Sequence, residues 1–211
     1  MTTQADRIAA ALRPIAPGGK LAPADVGAIN SLGAAWQARL DARPDLAPGE
    51  PAWTVAARKL IGLKEVPGPR HNPTIVGFWS LGGGLPIWGL KTDEDAWCGG
   101  FQAWAMKEAG IPFPKKYPRA GEWATWGVEC RPQVGAIGVK ARAGGNHVFQ
   151  IVGITHDRHH YKALGGNQAN GVNVSDIAVA DVKAVRWPEG VPERNIALPV
   201  MPRGTIGGSE S

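Results

Sequence analysis

The sequence predicts an α+β fold, because helical periodicity dominates its first 126 residues and period-two alternation takes over from His147. Residues 3–15 place Ile8, Leu12 and Ile15 on one helical face, and the Ala-Pro-Gly-Gly run at 16–19 breaks it. A second helix opens at Pro23, a favoured first-turn residue, with Val26, Ile29, Leu32, Trp36 and Leu40 at helical spacing. Residues 1–41 are therefore expected to form an accessory helical hairpin, followed by a Pro-rich linker at 42–51. The main domain is expected over 52–190. It begins with a helix from Trp53 to about Leu63, and Cys98 to Ala109 forms the next, with Phe101, Ala105 and Ala109 in line and Gly110 as its stop. Trp123 and Trp126 fall on a short helical segment. Then His147 to Thr155 reads as a strand, 156–159 as a turn and 160–164 as the returning strand. A second turn is expected over 165–171, a third strand from Val172, and a loose Pro- and Gly-rich tail over 191–211.

Composition narrows the class. Hydrophobic residues make up 44% of 211, enough for a globular core, and no apolar run approaches a membrane span. The first residues lack a basic region followed by an apolar one, so no secretory signal is expected and the chain should stay in the cytoplasm until released. The net charge of +5 arises wholly after residue 50, since the first 50 residues hold five basic and five acidic side chains. A basic main domain suits an anionic polymer, but no nucleic-acid motif accompanies it. Two cysteines are too few for a disulfide framework or a cysteine-rich metal centre, and neither metal nor cofactor is expected.

Cys98 is the candidate nucleophile. It opens a predicted helix, where unsatisfied N–H groups favour a thiolate and could also hold an oxyanion. Gly99 and Gly100 would leave that first turn open to a substrate carbonyl. Cys130, in Val-Glu-Cys-Arg-Pro, has no such setting. Of the five histidines, His147 stands out: with the turn centred on Asp157, it faces Asn167 across the hairpin. Asn167 would then hold one ring nitrogen and leave the other for Cys98. His156, His159 and His160 crowd the turn, where solvated histidines are ordinary and a metal site is the weaker reading; His71 reads as a loop residue. Asp93, Glu94 and Asp95 are read first as helix caps, with Asp95 also a candidate for positioning substrate. Glu65 is either a loop ion-pair partner or a substrate contact.

Together these pieces resemble a phage and prophage family of NlpC/P60-like, CHAP-related cysteine peptidases. The resemblance runs from about Trp53 to Pro188. It is carried by Gly62-Leu-Lys-Glu-Val-Pro-Gly68, His71-Asn-Pro73, Asp95-Ala-Trp-Cys98, Phe101 with Trp104, Ala109-Gly-Ile111, Trp123, Trp126-Gly127, His147-Val148, Gly165-Gly-Asn-Gln168 and Arg186-Trp-Pro188. It implies a papain-like fold, with the nucleophile at a helix N-terminus packed on an antiparallel sheet. It also implies thiol-dependent cleavage of an amide bond in bacterial peptidoglycan by an endolysin-like enzyme. The implied roles fall on Cys98, His147 and Asn167, with Glu65, Asp95, Trp97 and Gln168 as substrate contacts. A monomer is expected, with the cell wall as partner, no stable membrane insertion, and a holin for release. Two positions depart from the pattern: Gly135-Ala136-Ile137 replaces the usual Gly-Asp-Ile, and Asn146 replaces a Gly before the His.

Other classes fit less well. A lysozyme or lytic transglycosylase would use Glu65 or Glu122 as its acid, yet no second carboxyl pairs with either. A zinc amidase would need ligand spacing such as His-Glu-x-x-His, which is missing. A wall-binding or phage structural module that kept the fold is the non-enzymatic alternative.

Overall fold

The computed structural model describes residues 9, 13, 20–31, 50–82, 89–142 and 144–205. The chain divides into two compact units, 1–49 and 50–211. In the first unit, residues 23–31 are helical and Ile29 is buried within it. Asp25 accepts from the Ala22 N–H at the start of this helix. The expected 3–15 helix lies outside the described residues apart from Ala9 and Arg13, as does the second helix beyond residue 31.

The second unit is α+β. It contains helices α1 (Ala52–Arg58), α2 (Pro73–Gly77) and α3 (Cys98–Glu108). Among the described residues seven strands follow: β1 (Val128–Glu129), β2 (Ile137–Arg142), β3 (Gly145–Thr155), β4 (His160–Gln168), β5 (Gly171–Ala178), β6 (Val182–Trp187) and β7 (Val200–Met201). They form one sheet in the order β1-β6-β2-β3-β4-β5, antiparallel throughout that path, with β7 added parallel to the end of β3. The sheet thus extends past the anticipated meander on the β2 side. Ile137-Gly-Val-Lys-Ala-Arg and Val182-Lys-Ala-Val-Arg-Trp carry the alternation that would have marked those strands.

Tryptophans knit the layers together, each buried indole N–H finding an acceptor across the core. Trp53 donates to Gly135 O at 2.8 Å and meets Trp187 edge-on, docking α1 beside β2. Trp79 donates to Thr92 O and Trp123 to Tyr117 O, tying together the loops that surround α3.

Helix α3 contains two glycines in its first turn, a poor choice by propensity. Close packing demands them. A Cβ at Gly99 would lie 2.2 Å from Tyr117 O, and one at Gly100 would lie 2.9 Å from the Phe78 Cβ. These glycines therefore admit the Tyr117 backbone and the Phe78 side chain rather than an incoming substrate, a correction to the sequence reading. The sheet has the matching feature: a Cβ at Gly166 would sit 2.5 Å from the Trp97 ring. Bare backbone at Gly166 lets the Trp97 and Phe101 side chains press onto β4.

The expected turn over 165–171 is mostly strand. Strand β4 continues to Gln168 through a bulge between Gly165 and Gln168, and Ala169-Asn170, both with positive φ, makes a two-residue hairpin turn. The tail is not loose as far as Thr205 either. Asn195 N donates to Gln133 Oε1, β7 pairs with Ile154 and Thr155, and Gly204 N donates to Asp176 Oδ2. At its anchor, Lys162 is fully buried and donates to Asp176 Oδ1 at 2.6 Å and to the carbonyls of Pro202 and Gly204. A buried ammonium is tolerated only with such a complete set of acceptors.

Lys162→Ala leaves the Asp176 carboxylate without its buried partner and frees the 202–204 segment. It should lower stability by about 3 kcal/mol or more, read as a reduced urea midpoint. Arg58→Ala breaks a half-exposed pair with Glu50 and should cost under about 1 kcal/mol in the same assay.

Candidate active site

Cys98 opens α3 and is 2% exposed; His147, near the start of β3, is 4% exposed. Strands β3 and β4 pair only from Gln150–Leu164 onward. Ahead of that point the Val148 N–H is free to reach the Cys98 thiol, one residue from His147. Burial pushes the Cys98 thiol pKa up. The Val148 N–H, the positive charge of Arg142 and the N–H groups of Gly99 and Cys98 itself pull against that rise without cancelling it. The helix start therefore supports a thiolate as anticipated, but burial outweighs it and the resting group is a thiol.

His147 has one satisfied nitrogen and one open one. Its Nε2 lies 3.0 Å from Gln168 Oε1, while Nδ1 is buried with no hydrogen-bond partner among the described residues. The direction of the first bond follows from Gln168. The Gln168 amide nitrogen donates to Ala163 O, Asn173 O and Asn173 Oδ1, at 2.8–3.1 Å, and Asn173 Nδ2 returns a bond to Gln168 O. With the nitrogen end so committed, the oxygen must face the imidazole and accept from Nε2–H. That fixes the tautomer and leaves the Nδ1 lone pair as a base. A buried, unpaired acceptor normally destabilises a fold by about 1–3 kcal/mol, and His147 Nδ1 shares that condition with side-chain atoms of Thr54, Gln102, Gln150 and His160 among the described residues.

Asn167 does not face His147, which corrects the expected pairing. The register around Gln150–Leu164 and Ile151–Ala163 agrees with the hairpin arithmetic. The β4 bulge then adds a residue, with Asn167 in a left-handed conformation (φ 55°), and Gln168 arrives in its place. Gly165 makes room for this contact, since a Cβ there would lie 2.9 Å from Gln168 Oε1 and 3.3 Å from His147 Nε2. Two glycines in one short strand were the sequence signal for a bulge.

The remaining candidates sort into supports. Trp97, an expected substrate contact, is fully buried and donates to Glu65 Oε1 at 2.7 Å, so both hold the start of α3 in place. Asp95 accepts from Lys91 N, Thr92 N and Thr92 Oγ1 and does not cap α3, whose cap residue, Trp97, contributes no side-chain bond. Asp93 is fully buried. Burial alone would raise its pKa, but the N–H groups of Asn72 and Val66 and the His71 ring hold it below the usual carboxylate range. These carboxylates are hydrogen-bonded into their loops and do not oppose the thiol directly. Glu94 is exposed.

Elsewhere, Cys130 has its pKa pushed up to about 12, by burial first and by Glu193 second, so it is an inert thiol. Asp157 bonds Thr155 Oγ1 and His159 N in the β3–β4 turn, and among the described residues no group of ligands is arranged to hold a metal. No described helix is long and apolar enough to cross a membrane.

The His147 pKa is lowered to about 4, chiefly by burial, with Arg142 and Lys140 adding to the effect and the Gln168 bond opposing it. Stability follows from the sign. Above pH 6.5 the ring is neutral in both folded and unfolded chains and contributes no pH dependence. As pH falls from 6.5 toward 4 only the unfolded chain takes up the proton, so stability drops. The difference in unfolding free energy between wild type and His147→Gln should change by about 3 kcal/mol across that window and be flat above it.

Comparison of the chain with protein-family models, with curated proteins and with solved structures found no match.

Proposed function

We propose that the chain is a cysteine peptidoglycan hydrolase that cleaves an amide bond of the wall peptide, built on a papain-like, NlpC/P60-type variant of the α+β fold. The observation that carries the proposal is His147: buried, locked in one tautomer by Gln168, its Nδ1 without a partner among the described residues, and one residue from the Val148 N–H that reaches the Cys98 thiol. The family resemblance supplies the wall peptide as substrate and a phage-lysin-like setting, in which a holin would give access to the wall.

In the proposed reaction His147 Nδ1 takes the Cys98 proton as Sγ attacks the amide carbonyl carbon. The N–H groups of Cys98 and Gly99 face the developing oxyanion. Collapse breaks the C–N bond, and His147 returns the proton to the leaving amine, giving a thioester and a free amine. Water then attacks the thioester with His147 again as base, releasing the acid and restoring the thiol. With a thiol raised and an imidazole lowered in pKa, the proton moves during attack rather than before it. The low exposure of both groups keeps bulk water from the reacting atoms.

Lysis of purified cell walls is the first test, with muropeptides read by mass spectrometry. Cys98→Ser should reduce activity about a thousandfold or more while preserving the fold, and Cys130→Ser should be silent. A dead Cys130 variant alongside an active Cys98 variant would overturn the assignment. In the pH profile of kcat/KM, the acid limb should fall near pH 4, where His147 protonates, and not near 6.5.

Gln168→Ala should lower kcat about 10- to 100-fold, because the ring loses its orienting partner but not its basicity. Asn167→Gly, which suits the left-handed backbone, should leave kcat within a few-fold. Equal kcat losses in the two variants would mean that the bulge as a whole matters rather than the Gln168 amide.

A further inference from the structure

A cavity of about 300 Å³ opens beside His147 and Gln168, and its wall carries two cations, Lys140 and Arg142. Lys140 stands cross-strand from His147 and Arg142 cross-strand from Gly145, so both belong to β2 next to the base. Among the described residues neither side chain has a carboxylate partner. Asp176 is the one acid in the lining, and it is already engaged by Lys162 and by the Gly204 N–H. The hydroxyls of Ser175 and Thr205 complete a wall with donors and positive charge but no free anion. Such an arrangement in a concave surface concentrates potential and selects an anionic group. The charge of Arg142 also reaches both reacting side chains, lowering the pKa of Cys98 and of His147.

We infer that this cavity is the subsite for a free carboxylate of the peptide flanking the scissile amide, with Arg142 and Lys140 as its specificity-determining groups. The inference rests on the hydrolase reading above and specifies what that hydrolase selects. A carboxylate seated between the two cations would anchor the chain next to His147 and favour acidic stem peptides over their amidated forms.

The test has two arms, both in a Cys130→Ser background so that Cys98 alone reports. First, Cys98 is alkylated with iodoacetate and with iodoacetamide, and the ratio of the two rate constants is compared between parent and Lys140→Gln/Arg142→Gln. Taking the ratio divides out any change in thiol acidity. It should fall about tenfold in the double variant and hold in Lys140→Arg/Arg142→Lys, which keeps both charges. Equal ratios in the parent and the Gln variant would overturn the subsite. Second, stem peptides with free and with amidated carboxyls are compared as substrates. The parent should prefer the acid about tenfold through KM, and the Gln variant should lose that preference. Cleavage without acid preference sinks the subsite and spares the hydrolase reading. A shifted alkylation ratio with no cleavage of any stem peptide does the reverse.

Discussion

The amide of Gln168 is the constraint on which the site depends. Its nitrogen is held by three acceptors, so its oxygen has one remaining direction and the imidazole of His147 must meet it as a donor. Everything proposed about the ring follows: which nitrogen carries the proton, which is free, and why the free one is a base. The strand bulge, the bare backbone at Gly165 and the side chain of Asn173 all serve to bring that one amide to that one place. A polar network this fully satisfied is stiff, and a stiff orienting group lets a neutral histidine act without rearranging.

Much of this was legible in the chain. The α3 boundaries, the Cys98 position at a helix start and the first hairpin turn follow from local periodicity and turn residues, which depend on near neighbours. Asn167 was misplaced because a bulge changes strand parity, and no periodic pattern can count an inserted residue in advance. Gly99 and Gly100 were misread for a related reason: a glycine signals close approach without naming what approaches, and here it is the backbone at Tyr117 and the side chain of Phe78. Asp95 was a candidate for positioning substrate, and Trp97 was a substrate contact only through the family resemblance. Only tertiary packing reveals that their side chains hold loops. The docked tail was invisible because a Pro- and Gly-rich stretch can be ordered by partners far away in sequence, in this case Gln133, Asp176 and Lys162.

Burial shapes the character of the proposed chemistry. It raises the Cys98 thiol pKa and lowers that of His147, pushing the pair away from a preformed ion pair. An exposed, acidic thiol would be faster toward any electrophile and more easily oxidised. A covered thiol with a neutral base reacts when a substrate has displaced solvent and supplied the geometry. Selectivity then resides in the approach to the site more than in the intrinsic reactivity of the sulfur.

The clamp at Lys162 has a bearing on the cavity as well as on stability. Thr205 belongs to the cavity wall, and Pro202 and Gly204 just before it provide the carbonyls that shield a buried ammonium. The buried lysine therefore holds one wall of the cavity in place. An acidic side chain at position 205 would act as a tethered competitor for Lys140 and Arg142 at high effective concentration, and a neutral one would not.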